Sequence, residues 1–235
     1  DVANVIHWFY CMRLTERIYC AVHSASAPAI VCALLAACGK TPPPSGPVAP
    51  PTAQQTAGHG RRQRAWISPP GNLACSIIET VEADHARAAT LGFAAGLALE
   101  TALRKVSTEA ASFRLKWPND VLAGDKKLAG ILIEAEPVTG GFAAVVGMGV
   151  NVVSAPPGLR DPATCLGDVG GEVSAQSILS ALSDEWVAAY ELWDKGRNVP
   201  EVLRRWRAAA AGIGAEVAVS QDGGVVRGIF ETIDD

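Results

Sequence analysis

Apolar side chains at Ala88, Leu91, Ala95, Leu99, Ala102 and Val106 fall three or four residues apart, which places them on one face of a helix. Asp84 precedes them as an N-cap, so the spacing predicts a helix from Asp84 to about Val106, packed by that face on a sheet. Two further amphipathic helices are predicted over Ser174–Trp193 and Val199–Ala210, with Trp186, Tyr190, Trp193 and Trp206 as packing residues. Elsewhere the pattern is that of strands. Leu73 to Glu79, Ser112 to Trp117, Leu128 to Glu136 and Phe142 to Val153 are short β-prone runs. Turn chemistry at Pro69–Asn72, Ala123–Lys126 and Thr139–Gly141 separates them. Arg114–Val121 and Lys126–Glu134 read as two strands joined by a tight turn, the first stopped by Pro118, which cannot donate to a ladder. Beyond Gly214 the chain returns to β: Glu216–Val219, an Asp222-Gly-Gly224 turn, then Val225–Ile233. Two strands cannot stand alone and must lean on the rest.

Residues 1–53 follow neither period. Asp1 to Cys20 is apolar and aromatic without a clean repeat, and Ala25 to Cys38 is small and apolar. Thr41 to Pro51 holds six prolines in eleven residues, a linker composition. Met12 with Arg13 and Arg17, an apolar run and Leu35-Ala-Ala-Cys38 resemble a bacterial lipoprotein signal and its lipobox. Pro28 breaks that run and eleven residues precede Met12, so the expectation is an ill-determined, frame-shifted or divergent leader.

A chain of 235 residues, 49% apolar and 19% charged, is long enough for one good-sized core and a small appendage. The net charge of −4 gives no reason to expect nucleic acid as a partner. Six cysteines (Cys11, Cys20, Cys32, Cys38, Cys75 and Cys165) show no CxxC spacing and no cluster of histidines nearby. No metal site or disulfide framework is expected, and a reducing, cytoplasmic compartment is the default, with the lipobox reading as its alternative.

Two stretches carry candidate chemistry. Gln54-Gln-Thr-Ala-Gly-His-Gly-Arg-Arg-Gln-Arg-Ala-Trp66 is punctuated by glycine and holds Arg61, Arg62 and Arg64. Glycine lets backbone N–H groups approach an anion, and arginines supply paired donors for phosphate or carboxylate. No GxxxxGK[ST] is present, which excludes a P-loop. The second stretch sets Lys116 and Lys127 beside Asp120 and Asn119. Read alone, either could be a solvated turn. Gly147 and Gly149 inside a strand are costly unless something approaches the backbone there.

Arg114-Leu-Lys-Trp-Pro-Asn-Asp-Val121 and Lys127-Leu-Ala-Gly-Ile-Leu-Ile-Glu134 resemble the KWPND and K-L/I-A-G-I-L-I/V-E segments of the biotin protein ligase family. The basic loop resembles that family's Q-T-A-G-R-G-R-R-G-R-x-W, with His59 in place of an arginine and Gln63 in place of a glycine. The Gly147-Met-Gly-Val-Asn151 run resembles its G-x-G-I/V-N strand. The similarity covers about residues 54–235.

The resemblance implies an α+β fold: a mixed or antiparallel sheet with packed helices, related to class II aminoacyl-tRNA synthetases, followed by a truncated SH3-like barrel. Domains would be a leader over 1–53, a catalytic domain over 54–211 and a partial SH3-like domain over 212–235. The implied enzyme is a monofunctional biotin–[acetyl-CoA-carboxylase] ligase, since no helix-turn-helix pattern leads the chain. It would activate biotin with ATP and magnesium to biotinyl-5'-AMP and pass biotin to a lysine of a biotin carboxyl carrier domain. By resemblance Lys127, Arg61 and Lys116 are catalytic. Gln55, Gly58, His59, Gly60, Arg61, Lys127 and Gly130 would hold biotin. Arg62, Arg64, Trp66, Lys116, Asn119, Asp120 and Asn151 would hold ATP, with no protein metal site. No membrane partner is implied, and a homodimer stays open. The family's D-S-T-N segment is matched only by Asp1-Val-Ala-Asn4, without either hydroxyl. Two alternatives follow: a lipoate or octanoyl ligase of the same architecture, and a non-catalytic relic with an impaired biotin site.

Overall fold

A computed structural model describes residues 19–22, 58–61, 64–82, 84–108, 111–138, 141–158, 161–169, 172–221 and 224–234. Tyr19–Val22 apart, the expected leader lies outside the described residues, as do Gln55 and Arg62.

The six-stranded sheet has the order β1-β2-β6-β5-β4-β3, every neighbouring pair antiparallel. Its strands are β1 (Tyr19–Val22), β2 (Leu73–Val81), β3 (Phe113–Lys116), β4 (Asp120–Ala123), β5 (Lys126–Val138) and β6 (Gly141–Val150). Period-two alternation sorts each strand into two faces. Leu73, Cys75, Ile77, Phe113, Leu115, Val121, Ala129, Ile131, Val146 and Met148 are buried on one face. Helices α1 (His85–Ala89), α2 (Leu91–Val106), α4 (Ala175–Trp193) and α5 (Val199–Ala209) belong with them, and α3 (Leu166–Val169) is a single turn after β6. In α2, Leu91, Leu99 and Leu103 are fully buried, each worth about 2 kcal/mol against exposure. Trp186 and Trp193 are fully buried in α4, and Trp206 in α5 is 3% exposed. The tryptophans pack as expected.

Asp84 caps α1 by accepting from the Arg87 N–H at 2.9 Å, and Ser174 caps α4 in a capping box with Ser177. The predicted single helix over 84–106 is in fact two. The Thr90 hydroxyl donates to the Arg87 carbonyl at 2.6 Å and accepts from Trp193 Nε1 at 2.8 Å, turning the chain between α1 and α2. The expected two-strand hairpin is likewise three strands. Asp120–Ala123 pairs with β3 on one side and β5 on the other, with a register shift between Val121 and Leu122.

Strands β7 (Glu216–Gln221) and β8 (Gly224–Ile229) form a separate antiparallel pair. They lean on the rest, as expected. Phe230 and Ile233 pack on the core, and the Arg207 guanidinium on α5 donates to the Ile233 carbonyl at 2.8 Å through Nε. Beyond β3, Ala210 makes a parallel bridge with Leu115, and the Ala211 N–H donates to the Leu115 carbonyl at 2.7 Å.

Candidate active site

The sheet face turned away from the helices carries small residues at its centre. Register aligns Ala74, Gly149, Gly130 and Asp120 in one row across β2, β6, β5 and β4, with Ser76, Gly147 and Leu132 in the next. This row is the floor of a cleft of about 770 Å³, a size that suits a nucleotide with a small acid. Trp66 lies on that floor. A Cβ on Gly149 would sit 2.4 Å from Trp66 Cζ2, and one on Gly130 would sit 3.3 Å from Cζ3. Glycine is therefore required at Gly149 by a ring, as its mid-strand position suggested.

Trp66 is delivered by a small hairpin. Its N–H donates to the Gly58 carbonyl at 2.9 Å, and the Gly60 N–H donates to the Arg64 carbonyl at 2.7 Å, with an antiparallel bridge between His59 and Ala65. Arg61 and Arg64 are exposed and line the cleft. His59 Nε2 stands 3.4 Å from Glu134 Oε1 on β5.

Lys127 faces the same cleft. Its Nζ donates to Asp120 Oδ1 at 2.6 Å and lies 5.7 Å from the centre of the Trp66 ring, within cation–π range. The pair is part-buried, at 28% and 20% side-chain exposure, so its attraction is screened less than that of a surface pair. Its backbone is gripped from a loop: the Lys127 N–H donates to the Pro162 carbonyl at 2.8 Å, and the Thr164 N–H donates to the Lys127 carbonyl at 2.9 Å. Asn119 anchors the preceding turn, accepting from the Ile131 N–H and donating from Nδ2 to the Ile131 carbonyl, both at 2.8 Å.

Asn151 is 2% exposed at the end of β6. Its Nδ2 donates to the Thr164 carbonyl at 3.1 Å, while Oδ1 is buried without a partner among the described residues. Trp66 Nε1 is in the same condition. Both residues line the cleft. Buried polar atoms are normally satisfied, so these two mark where a ligand would bond. Asn72 braces the turn behind Asn151. Its Oδ1 accepts from the N–H groups of Val152, Val153 and Ser154 at 2.9, 3.0 and 3.3 Å, and its Nδ2 donates to the Ser154 carbonyl at 2.8 Å.

The structure thus gathers His59, Gly60, Arg61, Arg64, Trp66, Asn119, Asp120, Lys127, Gly130 and Asn151 around one cleft. Gly58 supports the hairpin from behind through its carbonyl. Lys116 is exposed, in register with Asp120 but one strand further out, and is not part of the lining. Glu134, Asn72 and the Pro162–Thr164 strap were given no role by the sequence. For Glu134 the available signal was its period-two spacing from Gly130. The other two act through backbone contacts that no local pattern reveals.

The model of the Biotin/lipoate A/B protein ligase family matches residues 45–151. The biotin–[acetyl-CoA-carboxylase] ligase of Paracoccus denitrificans is 36% identical over 189 residues, covering 77% of this chain and 78% of that protein. The chain belongs to the biotin protein ligase family. The enzyme of the same name from Mycobacterium tuberculosis is 38% identical over 188 residues, with 77% and 68% of the two chains covered. Among solved structures, the biotin protein ligase of Aquifex aeolicus in complex with biotin and ATP superposes with a TM-score of 0.66 at 26% identity, covering 77% of this chain and 76% of that one. The biotin protein ligase fold, an antiparallel sheet with packed helices, is the one described above. Among the described residues of this biotin ligase relative, no helix is long and apolar enough to cross a membrane.

Proposed function

We propose that this chain is a biotin–[acetyl-CoA-carboxylase] ligase that activates biotin as biotinyl-5'-AMP and transfers it to a lysine of a biotin carboxyl carrier domain. The observation that carries this reading is the seat of Lys127: a cation paired with Asp120, set over Trp66, beside a glycine floor that leaves room for a ligand.

In the first step a biotin carboxylate oxygen attacks the α-phosphorus of ATP, and the bond to the β,γ-pyrophosphate breaks. Two anions must be brought together, so cations and backbone are what the protein needs to supply, not a nucleophile. Lys127 serves the acid carboxylate and the charge developing at the α-phosphate. Arg61 and Arg64 serve the phosphates from the hairpin, while Gly58, His59, Gly60 and Gly130 border biotin; the resemblance alone assigns Arg62 to the phosphates and Gln55 to biotin. Trp66 and the free Oδ1 of Asn151 face the nucleotide, with Asn119 and Lys116 at its margin. In the second step the carrier's lysine amine attacks the acyl carbon and AMP leaves.

The oxygen donors Asp120 and Asn151 suit a hard cation, and magnesium rests on one or two carboxylates plus substrate phosphates. It would neutralise phosphate charge there. We further assign residues 54–211 to a catalytic unit of class II synthetase type and residues 212–235 to part of an SH3-like barrel. The buried thiols of Cys75 and Cys165, neither in a disulfide, are consistent with a cytoplasmic setting.

Biotin-dependent exchange of labelled pyrophosphate into ATP tests the assignment. Exchange that needs biotin, ignores lipoate and is lost in Lys127→Ala is the expected result. Exchange no greater than in Lys127→Ala would overturn it.

A further inference from the structure

Asn72 does not line the cleft, yet it grips the chain next to a residue that does. The β6 ladder stops at Val150. Just beyond it one oxygen, Asn72 Oδ1, accepts the N–H groups of Val152, Val153 and Ser154, while Nδ2 donates to the Ser154 carbonyl. The local chain is shaped to deliver this side chain. The Asn72 N–H donates to the Pro69 carbonyl at 3.2 Å, closing a turn. Gly71 has a φ of +91°, and a Cβ there would meet Val153 Cγ2 at 2.9 Å, so only glycine lets Val153 close over the turn.

Asn151 is fixed at its remaining points. Its N–H donates to the Leu128 carbonyl and its carbonyl accepts from the Leu166 N–H, both at 3.0 Å. Its Nδ2 donates to the Thr164 carbonyl. A carbonyl can only accept, so that contact settles which end of the amide is nitrogen and turns Oδ1 the other way. The direction in which the chain leaves Asn151 is what those bonds do not set, and the Asn72 clamp sets it. Six residues before Asn72, the same stretch delivers Trp66. Trp66 Nε1 is a donor and Asn151 Oδ1 an acceptor, both buried without a partner among the described residues.

We propose that Asn72 is a positioning residue for the nucleotide side of the cleft: by clamping the turn after β6 it aims Asn151 Oδ1 and fixes that acceptor against the Trp66 donor. This role rests on the reading of Trp66 and Asn151 as facing ATP. Lys127 is held independently, by Asp120 and by the Pro162–Thr164 strap. The clamp therefore bears on nucleotide affinity and leaves the charge that serves the acid in place. Without it Asn151 samples several directions, and binding has to order it again.

Equilibrium titration of ATP with magnesium into the ligand-free protein is the first measurement. Asn72→Ala should weaken ATP binding about tenfold. In pyrophosphate exchange the KM for ATP should rise by the same factor, with kcat and the KM for biotin held within about twofold. Asn72→Asp keeps the accepting oxygen and loses only the bond to the Ser154 carbonyl, so it should recover most of the affinity. A double-mutant cycle separates positioning from general stability. Asn151→Ala removes the acceptor, and adding Asn72→Ala to it should weaken ATP binding no further. Asn72→Ser, a milder truncation, is run in parallel so that the cycle stands if the alanine variant does not fold. Val202→Ala, in the buried face of α5, should lower Tm while leaving ATP affinity unchanged. Additive losses from Asn72 and Asn151, an ATP affinity unmoved by the Asn72 variants, or an equal loss in Val202→Ala overturns the proposal. An unaltered chain that binds no ATP overturns it together with the ligase reading. One that binds ATP but shows no biotin-dependent exchange sinks that reading alone, and the titrations still decide the clamp.

Discussion

Lys127 and Lys116 carry the same charge and lie on β5 and β3, with β4 between them, but only one reaches the cleft. Lys127 is held by Asp120 at 2.6 Å and by the strap behind it, so its ammonium is in place before any substrate arrives. Lys116 lies two strands further out and is exposed. Preorganised charge lowers the barrier, whereas a flexible charge contributes mainly to binding. Lys127→Ala is expected to lower adenylation turnover by about 10²-fold. Lys116→Ala should chiefly raise the KM for ATP. Initial rates at saturating ATP separate them, and equal turnover losses would refute the distinction. A second residue matters for stability rather than chemistry. Burial pushes the Glu79 carboxyl above its ordinary range, against a hydrogen bond from Trp186 that pulls it down. With the folded value raised, the folded state binds the proton more tightly, so stability falls as pH rises from the ordinary carboxylate value through the raised one. Glu79→Gln keeps an acceptor for Trp186 and removes the charge. Its Tm should be higher than the parent's at pH 7, by about 2 °C at most, with the difference vanishing near pH 4. Scanning calorimetry at both pH values checks it. Nearby, Tyr190 is pushed up to about 12 by burial, Glu79 and Glu82, and stays neutral across this range.

Strands and helices show what a sequence can and cannot announce. Asp84 is legible as a cap because a cap is a local event. The buried face of α2 is legible because its spacing is. Thr90 is not, since its role depends on Trp193, a hundred residues away. Asp120–Ala123 hid between Pro118 and Gly124 because four residues are too few to show alternation; the neighbouring strands make it a strand. β1 was missed for the same reason. The cleft floor was half legible. Gly147 and Gly149 signalled a close approach, but the approaching group, Trp66, comes from an element some eighty residues earlier. This gives a test at the level of β6. In Gly149→Ala the new methyl meets Trp66 at 2.4 Å, and such overpacking costs about 1–3 kcal/mol. The ring should be pushed off the floor and the KM for ATP raised about tenfold or more, read by ATP titration beside a thermal melt.

Taken whole, the molecule is a sheet with helices on one face and chemistry on the other, plus a two-stranded hairpin at the rim. Ala218 and Val219 of that hairpin border the cleft, and Phe230 anchors it to the core. Phe230→Ala should therefore lower Tm by a few degrees and raise the KM for ATP while sparing kcat; an unchanged KM would show that the hairpin plays no part in the site. One closure remains. The outer edge of β3 is occupied by Ala210 and Ala211, and the Arg114 guanidinium clasps the Ala210 carbonyl at 2.6 and 3.2 Å. Bare sheet edges recruit strands from other molecules and seed fibrils. As long as α5 stays docked, a neighbouring chain finds no ladder to join at Leu115. On storage or gentle warming, clumping should begin when this end of α5 peels away, well before the sheet itself melts. Loosening the clasp at Arg114 should shorten the protein's shelf life more than its enzymology would suggest.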